Sequence, residues 1–306
     1  MEKMIPNLFI IGAAKCGTTS LHEYLAQHPE IFMARVKEPH FFAQVENTLY
    51  DYKEEFSPEK EYHTWVIKEK DEYLNLFRDG QKSKYKGESS PSYLWDPEAA
   101  RKIYDFNPQA KLIVLLRDPI KRAFSHYQMD VHAGYQEKRN FYDALKEDFE
   151  MPDSQKGWNK SHLYMELGLY HQQLERFREL FSKEQIMVIR FEDFIQDIEN
   201  GLKNIFEFLE VDNRRLTDID FGKKHNQTQS PKYVFISKLK DNKVIQKMIG
   251  LIPEGLKNKI KKSTYQDGYR KDLVLDEKGW EYLIQFYQDD LKQLKKDWGI
   301  SFNLNI

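Results

Sequence analysis

Hydrophobic and polar positions follow two rhythms along this chain. Short, nearly unbroken apolar runs stand at 8–11 (LFII), 31–33 (IFM), 111–116 (KLIVLL) and 185–190 (QIMVIR). Such runs suit strands covered on both faces. A fifth strand is placed at 86–89 (KGES). Between them lie longer stretches whose apolar residues recur every three or four positions, as on a helix with one buried side. "DPEAARKIYDF" offers Asp96 as N-cap and Pro97 as the first helical residue, and "PIKRAFSHYQMDVHA" opens on Pro119 behind Asp118. "SHLYMELGLYHQQLERFRELF" reads as one long amphipathic helix, and "DEKGWEYLIQFYQDDLKQLKKDWG" as another that ends near Gly299.

Strands alternating with helices predict an α/β fold, a central parallel sheet flanked by helices on both faces. Residues 211–275, rich in Asn, Lys and Gly, predict a helical, loop-rich lid over the carboxyl edge of the sheet, where such folds bind ligands. No repeat, low-complexity tract or linker divides the 306 residues, so 1–306 is read as a single domain.

Composition narrows the partners. Lys and Arg total 47 against 49 Asp and Glu, a formal charge of −2, which argues against a general nucleic-acid binder. No apolar run approaches the roughly 18 residues that span a bilayer, and "MEKMIPN" lacks the apolar core of a signal peptide. One cysteine, Cys16, allows neither an intramolecular disulfide nor a thiolate metal cluster. The expectation is a cytoplasmic protein without membrane or nucleic-acid partners. Its oligomeric state is not legible in the sequence.

Candidate chemistry begins at "NLFIIGAAKCGTTSLHEYLAQHP", residues 7–29. Strand, glycine turn and helix form a phosphate cradle: successive backbone N–H groups face an anion, and the helix start adds partial positive charge. An NTPase would carry lysine at position 18 and a hydroxyl after it for Mg²⁺. Here Thr18 and Thr19 occupy those places and the cation, Lys15, sits within the loop. There it can meet the bridging oxygen of a short phosphate chain, where charge grows as a terminal group departs. The plainer alternative is a tight turn with a solvated lysine. A second candidate lies in "KLIVLLRDPIKRAFSHYQMD". Arg117 stands just past a strand and Ser125 about two turns into the next helix, a pair able to share one anion. The plainer reading there is a helix start, with Asp118 as cap and Arg117 in a surface ion pair.

Together these stretches resemble the sulfotransferases that use 3′-phosphoadenosine 5′-phosphosulfate (PAPS), with "KEPHFF" similar to the heparan-sulfate-type branch and its bacterial relatives. "KCGTTS", from Lys15 through Cys16, Gly17, Thr18 and Thr19 to Ser20, is similar to the family's 5′-phosphosulfate loop. "RDPIKRAFSHY", from Arg117 to Tyr127, is similar to its 3′-phosphate motif, which implies that Arg117 and Ser125 hold that phosphate; Arg122 is kept as structural or supporting. The resemblance makes the fold P-loop-like and implies sulfuryl transfer from PAPS, leaving 3′-phosphoadenosine 5′-phosphate (PAP). The acceptor would be a hydroxyl or amine of a small metabolite, natural product or carbohydrate. A sulfuryl group carries less negative charge than a terminal phosphoryl, so no metal is expected.

In "ARVKEPHFFA", residues 34–43, Pro39 biases Glu38 toward an extended backbone, which would aim Glu38 and His40 to one side while Phe41 and Phe42 anchor the segment. The residues alone also allow two ordinary surface side chains. The resemblance implies Glu38 as catalytic base, His40 as its assistant or its rival, and Lys37 in positioning the sulfonate or acceptor. In "GESSPSYL" the heparan-sulfate branch has a lysine where this chain has Ser89, which leaves Lys15 as the main cation at the leaving oxygen. "GLYHQQLERF" is similar to a cleft-lining helix and offers Tyr170 and His171 to the substrate. "HNQTQSPK" is similar to a late donor-covering loop in which Lys232 would meet the 3′-phosphate or substrate. Two rival readings stay open: an ATP-dependent P-loop phosphotransferase, and a non-catalytic nucleotide-binding relative.

Overall fold

A computed structural model describes residues 4–45, 66–221, 229–231, 265–267 and 273–304. Five strands, β1 (Leu8–Gly12), β2 (Ile31–Met33), β3 (Tyr85–Ser89), β4 (Lys111–Leu116) and β5 (Ile186–Arg190), form one sheet in the order β2-β3-β1-β4-β5. Every neighbouring pair is parallel. All five strands predicted from the apolar runs are present, two of them one residue longer and one a residue shorter.

The central strands explain their composition. Every residue of β1 is buried, as is β4 after Lys111, because helices cover both faces. Each Leu or Ile so enclosed contributes about 1.5–3 kcal/mol through apolar area removed from water. The helices are α1 (Thr18–Leu25), α2 (Lys70–Asn75), α3 (Ser92–Trp95), α4 (Ala99–Phe106), α5 (Pro119–Ala133), α6 (Phe141–Phe149), α7 (Tyr170–Arg178), α8 (Phe191–Gln196), α9 (Ile198–Leu209) and α10 (Glu277–Trp298). α5 has the predicted bounds: Asp118 Oδ1 accepts the amides of Ile120 and Lys121 at 2.9 and 3.1 Å, and Gly134 closes the other end. α10 is capped by Asp276 and ends at Gly299, as expected for that end.

Two helix expectations need correction. α4 starts at Ala99, because Asp96 Oδ1 takes the amides of both Glu98 and Ala99 and holds Pro97 outside the helix. The stretch 161–181 is not one helix. Leu163 adopts φ 54°, a short 3₁₀ turn follows at Glu166–Gly168, and α7 covers only Tyr170–Arg178. The apolar spacing there serves two packing jobs. Tyr164 and Met165 join a cluster with α5, α6 and α10, while Leu174 and Phe177 join the core beside the sheet.

Of the predicted lid, residues 211–221 carry the 3₁₀ turn Asn213–Asp218, and the two short strands Gln229–Pro231 and Tyr265–Asp267 pair antiparallel. Residues 222–228, 232–264 and 268–272, Lys232 among them, lie outside the described residues. Among the described residues no helix is long and apolar enough to cross a membrane.

Candidate active site

The carboxyl ends of the five strands all feed the segments singled out in the sequence. β1 leads to residues 13–20, β2 to 34–44, β3 to 90–92, β4 to Arg117 and α5, and β5 to Phe191. A parallel sheet delivers them to one edge because its strands share a direction.

After β1 the chain turns through Lys15 (φ 65°) and Gly17 (φ +83°) into α1. Gly17 is required twice, by that left-handed backbone and because a Cβ would sit 2.8 Å from the Phe191 ring. α1 has no side-chain cap and no acidic residue in its first turn, so the amides of Thr18, Thr19 and Ser20 begin a helix suited to an anion. Cys16 points the other way: it is fully buried, 4.0 Å from the Tyr170 hydroxyl, and burial pushes its thiol up to about 11. Lys15 reaches toward α5, its ammonium 3.2 Å from the Met129 sulfur, a weak acceptor.

The two motifs meet. Arg117 Nη1 donates to the Lys15 carbonyl at 3.4 Å, across 102 positions of sequence. Its guanidinium also lies over Phe191, 5.3 Å from the ring centroid. Asp118 is engaged in capping α5, and its amide donates to Glu192 Oε1 at 3.0 Å. The helix-start reading of this motif is therefore correct for Asp118, yet it accompanies Arg117 at the loop instead of replacing it. Ser125 is buried on α5, one turn before Met129. Arg122 is wholly buried, and its Nη2 donates to the Tyr164 carbonyl. Its charge bears on Cys16 and on His126, which burial, above all, lowers to about 3.

The segment after β2 departs from expectation. Glu38 and His40 are not extended: both have positive φ, 60° and 52°, on either side of Pro39. Such backbone costs on the order of 1–3 kcal/mol per residue and persists only where the surroundings impose it. Here the Glu38 amide donates to Ser89 O at 3.0 Å, the His40 amide to Ser90 Oγ at 3.1 Å, and His40 Nδ1 lies 2.7 Å from Ser92 Oγ. The turn still brings the two side chains together, with His40 Nε2 3.8 Å from Glu38 Oε2. Lys37 forms an ion pair with Glu38. Phe41 stacks on Tyr73 at 4.1 Å, and Phe42 packs edge-on to Phe9, Tyr73 and Tyr93, so both anchor the turn.

Exposure separates the rival bases. The Glu38 side chain is 19% exposed and that of His40 is 0%. Burial also lowers His40 to about 4, so its ring is neutral at neutral pH. The carboxylate faces the solvent side, and the imidazole lies behind it.

The other expected contacts fall elsewhere. Tyr170 is fully buried and donates to the Arg117 carbonyl at 2.9 Å, bracing the end of β4 from behind. His171 turns to α10, its Nε2 2.9 Å from Asp297, and its amide donates to Asp290. Neither stands with Glu38. Sequence reasoning missed Phe191, Met129 and Trp158. Trp158 is half-buried, its ring centroid 5.9 Å from that of His40, and its backbone bridges Val45. No motif marks these three. Ser90 and Ser92 lie within the quoted "GESSPSYL", but their role depends on a turn that the sequence does not announce.

Residues 6–215 match the profile of the sulfotransferase family. The chain is similar to carbohydrate sulfotransferase 15 of Mus musculus, at 28% identity over 248 residues that cover 68% of this chain and 44% of the relative. It is also similar to heparan sulfate glucosamine 3-O-sulfotransferase 3B1 of Mus musculus, at 29% over 229 residues covering 74% and 51%. It thus spans about half the length of these relatives or less. Among solved structures, a sulfotransferase from Alicyclobacillus acidocaldarius aligns with a TM-score of 0.66 at 26% identity, over 95% of this chain and 94% of that one.

Proposed function

The chain belongs to the sulfotransferase family, and from that premise we propose that it moves the sulfuryl group of PAPS to an acceptor hydroxyl or amine with Glu38 as base. One observation carries the reading. The loop bearing Lys15 and the motif bearing Arg117 touch at 3.4 Å, which supports a single doubly phosphorylated nucleotide held by both along the same sheet edge.

In this mechanism the amides of residues 17–20 and the Thr18 and Thr19 hydroxyls bind the 5′ phosphosulfate. Arg117 and Ser125 bind the 3′-phosphate, and the resemblance alone assigns Lys232 to that phosphate or to the substrate. The acceptor attacks sulfur in line while Glu38 takes its proton. The S–O bond to the phosphate breaks, and Lys15 stabilises the charge left on that oxygen. Lys37 holds the carboxylate in place, and neutral His40 supports it from behind. Sulfuryl transfer of this kind needs no divalent metal.

The activities named for the two murine relatives favour a carbohydrate acceptor. Half-buried Trp158 beside His40 offers a flat apolar face of the kind that packs on a sugar ring. A small metabolite remains within the same chemistry. The balanced charge and single cysteine fit a cytoplasmic protein acting without nucleic acid. Calorimetry separates the readings: PAP should bind in the micromolar range without added metal and ATP–Mg²⁺ far more weakly. A preference for ATP–Mg²⁺ would reject PAPS as donor. Radiolabelled PAPS offered with a panel of monosaccharides and phenols then tests transfer.

A further inference from the structure

The carboxyl end of β3 holds a group that the mechanism above does not use. Glu88 is completely buried and has no cation partner among the described residues. Three hydroxyls converge on it. Tyr73 from α2 and Tyr93 from α3 approach Oε1 at 2.9 and 2.5 Å, and Ser90 approaches Oε2 at 2.7 Å. A buried carboxylate is costly unless hydrogen bonds replace its water. Burial lifts Glu88 to about 7, while the three hydroxyls pull the other way and keep ionisation within reach at neutral pH.

The arrangement has a direction. An ionised carboxylate only accepts, so all three hydroxyl hydrogens point at Glu88. Ser90 then has only lone pairs left, and its oxygen takes the His40 amide at 3.1 Å. One residue back, Ser89 O takes the Glu38 amide, and one residue beyond Pro91, Ser92 Oγ meets the His40 ring. Glu88 thereby fixes the polarity of the strand end from which the base turn hangs. Tyr73 extends the link, since its ring also stacks under Phe41.

Resting on the reading of Glu38 as base, we propose that Glu88 is a positioning residue: by fixing the Ser90 hydroxyl it holds the strained 38–40 turn in the geometry that presents Glu38 to the acceptor. Glutamine in its place would bring an amide that competes to donate, so Ser90 would no longer be committed as acceptor for His40.

The test compares Glu88→Gln with Ser90→Ala, which removes only the link. Amide hydrogen exchange is measured with PAP bound. We expect the His40 amide to exchange roughly tenfold faster or more in both variants, the loss of one buried hydrogen bond, with the β4 amides unchanged. PAP affinity should stay within about twofold, while kcat for the best acceptor of the panel falls roughly tenfold or more at constant donor KM. Adding Glu88→Gln to Glu38→Gln should cost no further turnover, because both act through one group. The proposal fails if Ser90→Ala leaves His40 exchange unchanged, or if β4 amides accelerate with it. It also fails if Glu88→Gln lowers kcat by the same factor in both backgrounds. Full activity of Glu38→Gln, with His40 exchange still responding to Ser90→Ala, would reject Glu38 as base and leave the link between Glu88 and the turn standing.

Discussion

The edge formed by the Lys15 loop and Arg117 (the proposed donor edge) and the turn at residues 38–40 (the proposed base turn) are both polar, and on that proposal they solve opposite problems. At the donor edge, Arg117 donates to a backbone carbonyl and stacks on Phe191, while Lys15 lies against the Met129 sulfur. Helix α1 opens without a capping side chain. Positive groups and the uncapped start of a helix are gathered there, as the proposed anionic donor would require. At the base turn the charges are matched within the protein: Lys37 with Glu38, His40 kept neutral behind it, and three hydroxyls on Glu88. A site that binds an anion must leave capacity unfilled, whereas a site that takes one proton must hold a single geometry.

Substitutions at four positions sharpen or break that contrast. The largest effect is expected for Lys15→Ala, which should lower kcat by about two to three orders of magnitude. PAP affinity should fall much less, and an equal loss in both would make Lys15 a plain binding residue. Glu38→Gln should lower kcat by about two orders with PAP affinity nearly unchanged in calorimetry. If that variant is fully active while His40→Ala is dead, the base has been assigned to the wrong residue. Arg117→Ala should act in reverse, weakening PAP by roughly ten- to a hundredfold while adenosine 5′-phosphosulfate, which lacks the 3′-phosphate, loses little. Equal loss for both nucleotides would remove Arg117 from the 3′ end.

The smallest effect concerns protons. Burial lowers His40 from 6.5 to about 4, so the unfolded chain takes up this proton first. Stability from this group is intact above pH 6.5 and is lost as pH falls toward 4. At pH 5.5 the loss is about 1 kcal/mol, and His40→Gln should remove it. Urea midpoints for the two proteins at pH 7.5 and 5.5 measure the difference. Glu88 has the opposite sign, being raised to about 7, and gains stability as pH falls from 7 toward 4.5. It is present in both proteins, so its contribution cancels. A pH response that is identical in the two would show His40 to titrate normally.

Much of this was legible residue by residue. "KLIVLL" could only be an enclosed strand, and Asp118–Pro119 could hardly avoid starting a helix, because both depend on local rules of burial and capping. The Gly17 turn followed from the small residues around it. The helix expected at 161–181 failed for a definite reason: three-four spacing records which residues are apolar, not that two different cores claim them. The extended backbone expected at Glu38 failed likewise. Proline's local preference was overridden by three hydrogen-bond partners at residues 89–92, some fifty positions away.

The amino-acid sequence by itself determined the strands, the glycine turn after β1 and the helix start at Asp118–Pro119, since each is a short segment whose chemistry is complete within a few residues. The tertiary structure decided what those segments do to one another. Only folding sets Arg117 on the Lys15 carbonyl, buries Tyr170 behind the end of β4 and turns His171 to Asp297. It also makes Glu38, not His40, the member of its pair that meets solvent. Exposure, strain and shared hydrogen bonds belong to contacts between distant segments, and no window along the chain contains them.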